Sequence, residues 1–225
     1  MSEVTTFDAV GLERVRYHFG DRVASLRHPP THATTTLEQV HGSEVVVVAQ
    51  PGTEGGRAAD ALVSDAPGAV LCIRTADCVP LLFAGRSEST GGPVVAVVHA
   101  GWRGLYEGVV ERAVEVMRGR GATDIEWRIG PCISAAVYEF SPADLTTLAL
   151  RFGPDVVAST TDGAPALDLH AAARAAAIAA GLDRGDGASP PCTATTLDAA
   201  GAPRYYSWRA RRDDSRQISS IWIEP

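Results

Sequence analysis

The chain has 225 residues, 45% of them hydrophobic, and a formal net charge of −7. That length and apolar content suit one sizeable domain or two small fused lobes, and the negative charge argues against broad nucleic-acid binding, which needs a basic face. All 20 basic residues are arginine and asparagine is absent, which excludes a Schiff-base or P-loop lysine, a Ser–Lys dyad, N-glycosylation and a Cys-His-Asn triad.

In chain order, EVVVVA at 44–49 reads as a β-branched strand and 51–60 as a loop. Short apolar runs at 70–74 and 79–84 flank a TADC turn, and the loop 85–93 leads to a strand at 94–98. Val109, Val110, Ala113, Val114 and Met117 recur at helical spacing and predict a helix over about 104–118, ended by Gly119 and Gly121. IEWRI at 125–129 reads as a strand. Ser141 and Asp168 are placed to cap helices over about 142–151 and 169–180, the second stopped by Gly181. The Gly/Pro/Ala/Asp-rich stretch 183–203 reads as loop, and QISSIWI at 217–223 as a final strand.

Strands and helices mix without a regular βαβ beat. The expectation is an α+β fold, a single domain over 1–225 with mixed β-sheets flanked by helices. No apolar run approaches the roughly 20 residues that span a bilayer. The start, MSEVTTFDAV, has no basic stretch ahead of an apolar core, so a cytoplasmic protein is expected. The cysteines, Cys72, Cys78, Cys132 and Cys192, form no C-x-x-C pair and read as reduced thiols rather than a disulfide framework.

HAGWRG at 99–104 carries the most chemistry. A histidine ends an apolar strand, glycines punctuate a turn, and an arginine opens a helical pattern. QVHG at 39–42 and TADC at 75–78 add His41 and Cys78 to His99. Two imidazoles and one thiolate are the ligand set of a catalytic zinc centre, with the fourth position left for water. Thiolate softness favours zinc over magnesium or manganese. The spacings are too wide for a zinc finger, so the fold must assemble the ligands. Taken singly, His41 and Cys78 read more readily as structural and His99 as a strand cap; the same set also offers a Cys-His hydrolase with Cys78 as nucleophile. Arg103 suits a phosphate, by its guanidinium and by the free N–H groups of a helix start; its alternative is an internal carboxylate partner. Asp77 suits a general base, an orienting partner of the metal ligands or a turn residue. Gln39 offers an amide to substrate, and Cys132 either lines a cleft or packs. Among Arg209, Arg211, Arg212 and Arg216, a solvated face is expected, with a secondary prospect that one reaches the cleft.

EQVHG (38–42), ADALVSDAPG (59–68), TADCVPLLF (75–83), HAGWRG (99–104) and IGPCI (129–133) occur in this order, followed by LDL (167–169), CT (192–193) and YSWR (206–209). Together they resemble the YfiH-like laccase-domain or "polyphenol oxidase" family from about residue 36 onward. The resemblance implies a fold similar to the catalytic domain of cytotoxic necrotizing factor and one zinc ion on His41, Cys78 and His99. It implies purine nucleoside phosphorolysis (adenosine, inosine, guanosine, methylthioadenosine), with adenosine deamination as a further activity. Copper chemistry is not expected, because the His-rich clusters of a multicopper site are missing. Residues 1–35 are divergent and shortened: RYHFGDR at 16–22 offers Arg22 as the matching arginine, but the GGVS-like and SLN-like strings that follow it in the family are absent. YSWRARRDD also departs from the usual YRRDG-like string. The expected partners are a purine nucleoside and phosphate held by Arg103 with help from Arg22, without nucleic acid or membrane. The rivals are a Cys-His amide hydrolase acting on a peptidoglycan precursor, and a non-catalytic metal- or nucleoside-binding protein.

Overall fold

The apolar runs on either side of the TADC turn, and the run that leads into HAGWRG, lie at the centre of the molecule. The computed structural model describes residues 4–7, 9, 11–24, 28, 31–185 and 189–225. The strands up to HAGWRG are β1 (Thr5–Thr6), β2 (Val15–Phe19), β3 (Ala33–Thr35), β4 (Val45–Val47), β5 (Ala61–Ser64), β6 (Ala69–Thr75), β7 (Val79–Ser87) and β8 (Pro93–Ala100). Then come α1 (Trp102–Glu107), α2 (Val109–Gly119), β9 (Ala122–Ile129), α3 (Pro142–Phe152), β10 (Val157–Ser159) and β11 (Pro165–Leu167). The chain continues through α4 (Leu169–Ala179), β12 (Arg184–Gly185), α5 (Trp208–Arg211) and β13 (Gln217–Ile223).

Five strands form one sheet in the order β1-β2-β13-β6-β3, six form another in the order β12-β9-β7-β8-β5-β4, and β10 pairs with β11. The β3–β6, β4–β5 and β9–β12 pairs are parallel, so both large sheets are mixed. Side chains alternate across a strand. Along β8, Val94, Ala96, Val98 and Ala100 therefore join a core with α1, α2 and α4, while Val95 and Val97 join Leu71, Ile73, Ile221 and Ile223 of the five-stranded sheet. Burial on both faces is why 94–98 is an unbroken apolar run. The result is a single α+β domain, as expected. Among the described residues no helix is long and apolar enough to cross a membrane.

Local signals placed most elements. Ser141 Oγ accepts from Asp144 N at 3.3 Å and Asp168 Oδ1 from Ala171 N at 2.8 Å, so both predicted caps form. The single helix expected over 104–118 is instead two. Gly108 sits at φ 90°, a left-handed conformation that glycine adopts without a Cβ penalty, and its N–H closes α1 on Gly104 O and Leu105 O. Strands β1, β2, β3, β5, β10 and β11 carry no signal in the sequence reading, and β12 falls inside the stretch 183–203 that reads as loop. VRYHF has no clean alternation, and β2 exists through its pairing with β13 some 200 residues later in the chain (Ile221 opposite Tyr17).

Candidate functional site

Three strand ends of the six-stranded sheet meet at one place. In the β7–β8 pair Val79 lies opposite Ala100 and Pro80 opposite His99, so Cys78, one residue before β7, arrives beside His99. On the other side of β8, Ala61 lies opposite Val98, which brings Asp60 to the same end. His41 enters from the loop ahead of β4, at φ 62°. The ligand atoms of His41, Cys78 and His99 all lie within 4.8 Å of one another. Cys78 Sγ is 3.8 Å from His41 Nε2, and the two imidazole rings are 4.8 Å apart, edge to face. His41 is exposed, Cys78 half-buried and His99 buried.

The glycines of HAGWRG make this approach possible. A Cβ on Gly101 would stand 2.9 Å from His41 Cδ2 and 3.2 Å from Cys78 Sγ. One on Gly104 would stand 2.9 Å from Gly42 O. Both positions are therefore closed to larger residues by the QVHG loop.

Asp60 orients the cluster, and it escaped the sequence reading although it lies inside the quoted ADALVSD string. It is fully buried. Its Oδ1 accepts from His99 Nδ1 at 2.7 Å and from His41 N at 3.0 Å. Its Oδ2 accepts from Gly42 N at 2.7 Å and Val40 N at 3.2 Å, and its backbone O accepts from His99 N at 2.8 Å. One carboxylate thus holds the QVHG loop, including the left-handed His41, and fixes the tautomer that turns His99 Nε2 toward the cluster.

Burial by itself would raise the Cys78 thiol, but the His99 charge and the hydrogen bond to His41 outweigh it and bring it down to about 6. Burial likewise opposes charge on His99, yet the Cys78 charge and the Asp60 hydrogen bond carry it up to about 9. Asp60 is held below the usual carboxylate range: burial opposes this, but the His99 and Gly42 hydrogen bonds prevail. A thiolate and imidazolium pair therefore forms around neutral pH. Two imidazoles and a thiolate at this spacing, with the buried imidazole oriented by a carboxylate, form a donor set that fits a three-ligand metal ion.

The cluster opens on a cavity of about 590 Å³. Arg103 lines it. Its guanidinium lies 4.5 Å above the Trp102 ring and makes no hydrogen bond or ion pair with the described residues. Arg103 is the second residue of α1, a helix of six residues with no side-chain cap. Trp102 packs on the helical core and also lines the cavity.

The other predicted residues lie around this centre with their own partners. The Gln39 amide bonds in both directions with the backbone of Arg74, at 2.8 Å each way, and so pins the QVHG loop to the end of β6. Asp77 lines the cavity, but both carboxylate oxygens are engaged, by Thr193 Oγ1 at 2.7 Å and Arg209 N at 2.6 Å. Cys132 is 2% exposed and sits opposite Cys192 in a β-bridge; burial pushes its thiol far up. Arg22 pairs with Asp213 at 2.6 Å and stacks over Tyr206, outside the cavity lining. Of the late arginines, Arg209 and Arg216 reach the cavity, whereas Arg211 holds the carbonyls of Thr193, Ala194 and Tyr205.

A family model described as "multi-copper polyphenol oxidoreductase laccase" matches residues 12–224. A Mycobacterium tuberculosis protein named purine nucleoside phosphorylase Rv2149c is 34% identical over 90% of this chain and 77% of its own. The Escherichia coli protein named purine nucleoside phosphorylase YfiH is 31% identical over 83% of this chain and 72% of its own. The crystal structure of Neisseria meningitidis NMB0706 superposes with a TM-score of 0.77 at 22% identity and covers 99% of both chains, which shows the shared fold. The chain belongs to this laccase-like YfiH family.

Proposed function

We propose, from that family membership and the geometry of the site, that the protein is a zinc-dependent purine nucleoside phosphorylase. The observation that carries the reading is the unpaired Arg103 guanidinium facing the same cavity as His41, Cys78 and His99. The relatives named as purine nucleoside phosphorylases supply the reaction class. A cavity of about 590 Å³ is within the roughly 300–1,000 Å³ of small-molecule sites. Trp102 and Tyr138 on its wall present rings to a flat base.

In this reading Arg103 binds phosphate through two parallel N–H donors. A phosphate oxygen forms the new bond at C1′ of the nucleoside as the C1′–N bond to the purine breaks, and the base leaves with a proton. Asp60 keeps His99 and His41 in place, Cys78 contributes a thiolate, and Asp77 and Gln39 shape the wall near the reacting groups. Zinc on His41, Cys78 and His99 would supply a Lewis acid with one position open to substrate. Zinc is preferred to the copper of the family description because the sequence, with six histidines, lacks the His-rich clusters of a multicopper site. The four free cysteines suit a reducing cytoplasm.

The deciding experiment incubates metal-verified protein with adenosine, inosine or methylthioadenosine, with and without phosphate. The expected products are free base and a pentose 1-phosphate, formed only when phosphate is present. Failure to release base in a phosphate-dependent way overturns the reading. Inosine formed from adenosine without phosphate scores deamination in the same assay.

A second reading has its own observation. Asp60, His99 and Cys78 line up as a carboxylate, an imidazole and a lowered thiol, the arrangement of a Cys-His hydrolase. Amide hydrolysis that survives removal of metal and is abolished by thiol alkylation would favour it.

A further inference from the structure

A chain of three aromatic rings has its two end rings on the cavity wall. Trp102 meets Phe140 at 5.5 Å and Phe140 meets Tyr138 at 5.5 Å, both edge to face. Each end ring carries an arginine on its face: Arg103 over Trp102 at 4.5 Å and Arg209 over Tyr138 at 4.6 Å. All four of these end residues line the cavity that holds the Cys/His cluster.

Arg209 is held in three ways. Its N–H donates to Asp77 Oδ2 at 2.6 Å, its Nη1 donates to Glu139 O at 2.9 Å, and its guanidinium rests on the Tyr138 ring. The Nε and Nη2 edge has no partner among the described residues. A planar guanidinium fixed by one corner and one face, with its two-donor edge free, is prepared to take an oxyanion in bidentate fashion. Asp77 ties this arrangement to the metal ligands. It immediately precedes Cys78, sits at φ 102°, and is braced by Thr193 Oγ1, Arg209 N and, through its carbonyl, Ile133 N. A non-glycine residue stays at such a φ only where its surroundings over-determine it. The cavity's carboxylates are Glu38, Asp77 and Asp214, of which Asp77 is consumed by these bonds.

We propose that Arg209 is a second anion-binding arm, acting with Arg103 on one tetrahedral oxyanion, and that Asp77 is the positioning residue that places Arg209 relative to Cys78. The phosphorylase reading enters only in naming the oxyanion as inorganic phosphate.

The test is calorimetric titration of metal-loaded protein with inorganic phosphate. Loss of a charge-assisted contact predicts that Arg209→Gln and Arg103→Gln each weaken phosphate binding about tenfold or more. Zinc content and the circular dichroism spectrum should be unchanged. Arg209→Lys keeps the charge but not the fork and should fall between wild type and Arg209→Gln. Asp77→Asn should weaken phosphate binding with one zinc still bound, a result that a purely structural role, acting on melting temperature alone, would not produce. Arg209→Gln binding phosphate within twofold of wild type overturns the proposal, as does wild-type protein that binds no phosphate. Phosphate binding that depends on Arg209 without nucleoside cleavage leaves the arm standing and removes the phosphorylase reading. Phosphorolysis with an unchanged phosphate KM in Arg209→Gln does the reverse.

Discussion

The two ends of the six-stranded sheet treat charge in opposite ways. At the end away from the cluster, arginines pair with carboxylates: Arg120 with Asp65 at 2.7 Å, and Arg184 with Asp124 at 3.7 Å and Glu126 at 3.6 Å. At the cluster end, Arg103 has only a ring beneath it, and Arg209 keeps its two-donor edge free. Carboxylates are present there too, but Asp60 and Asp77 spend their oxygens on backbone N–H groups, a histidine and a threonine. Acidic side chains that hold loops leave nearby cations available to a ligand. Cysteines divide in the same way: burial drives Cys72 up to about 12, while Cys78, beside two imidazoles, falls to about 6.

The sharpest way to break this contrast is to remove a ligand. Cys78→Ala or His99→Ala should abolish zinc binding, measured by elemental analysis, and take phosphorolysis to background. Retained zinc would refute the ligand assignment. Asp60→Asn should weaken zinc binding by about 10–100-fold in competition with a chromophoric chelator, as loss of an orienting partner does. Arg103→Ala should raise the phosphate KM about tenfold by losing a charge-assisted contact, with zinc content unaltered. In metal-free protein, Cys78 alkylation should reach half its maximal rate near pH 6, since the lowered thiol is already thiolate above its value of about 6. An ordinary thiol would instead gain rate through about pH 8.5. The smallest effect belongs to the far end. Arg120→Ala breaks a partly exposed pair and should change stability by less than about 1 kcal/mol in a denaturant titration, with zinc and activity unchanged.

Much of the molecule is legible in its sequence. Ser141 and Asp168 announce helices because a cap is a contact over three residues. His41, Cys78 and His99 stood out because each borders an apolar run, where strand ends gather. Gln39 reads as a substrate group because its amide offers a donor and an acceptor; the residue also lines the cavity, and its amide bonds to the backbone of Arg74, 35 positions away, which no local pattern announces. For the same reason Asp60 carries no signal in the sequence, and Arg209 reads only as one of four late arginines, with a secondary prospect that one of them reaches the cleft. The Asp60 contact to His99 spans 39 residues, and the Asp77 contact to Arg209 spans 132.

The sequence by itself determined which residue types were available: a thiol, two imidazoles and arginines without lysine, set beside strands whose alternation and caps are local properties. Only the tertiary structure decided which carboxylates orient the cluster, which arginines remain unpaired and where the helix breaks at Gly108. Those outcomes depend on strand register and on hydrogen bonds between distant segments, and no short window of sequence carries them.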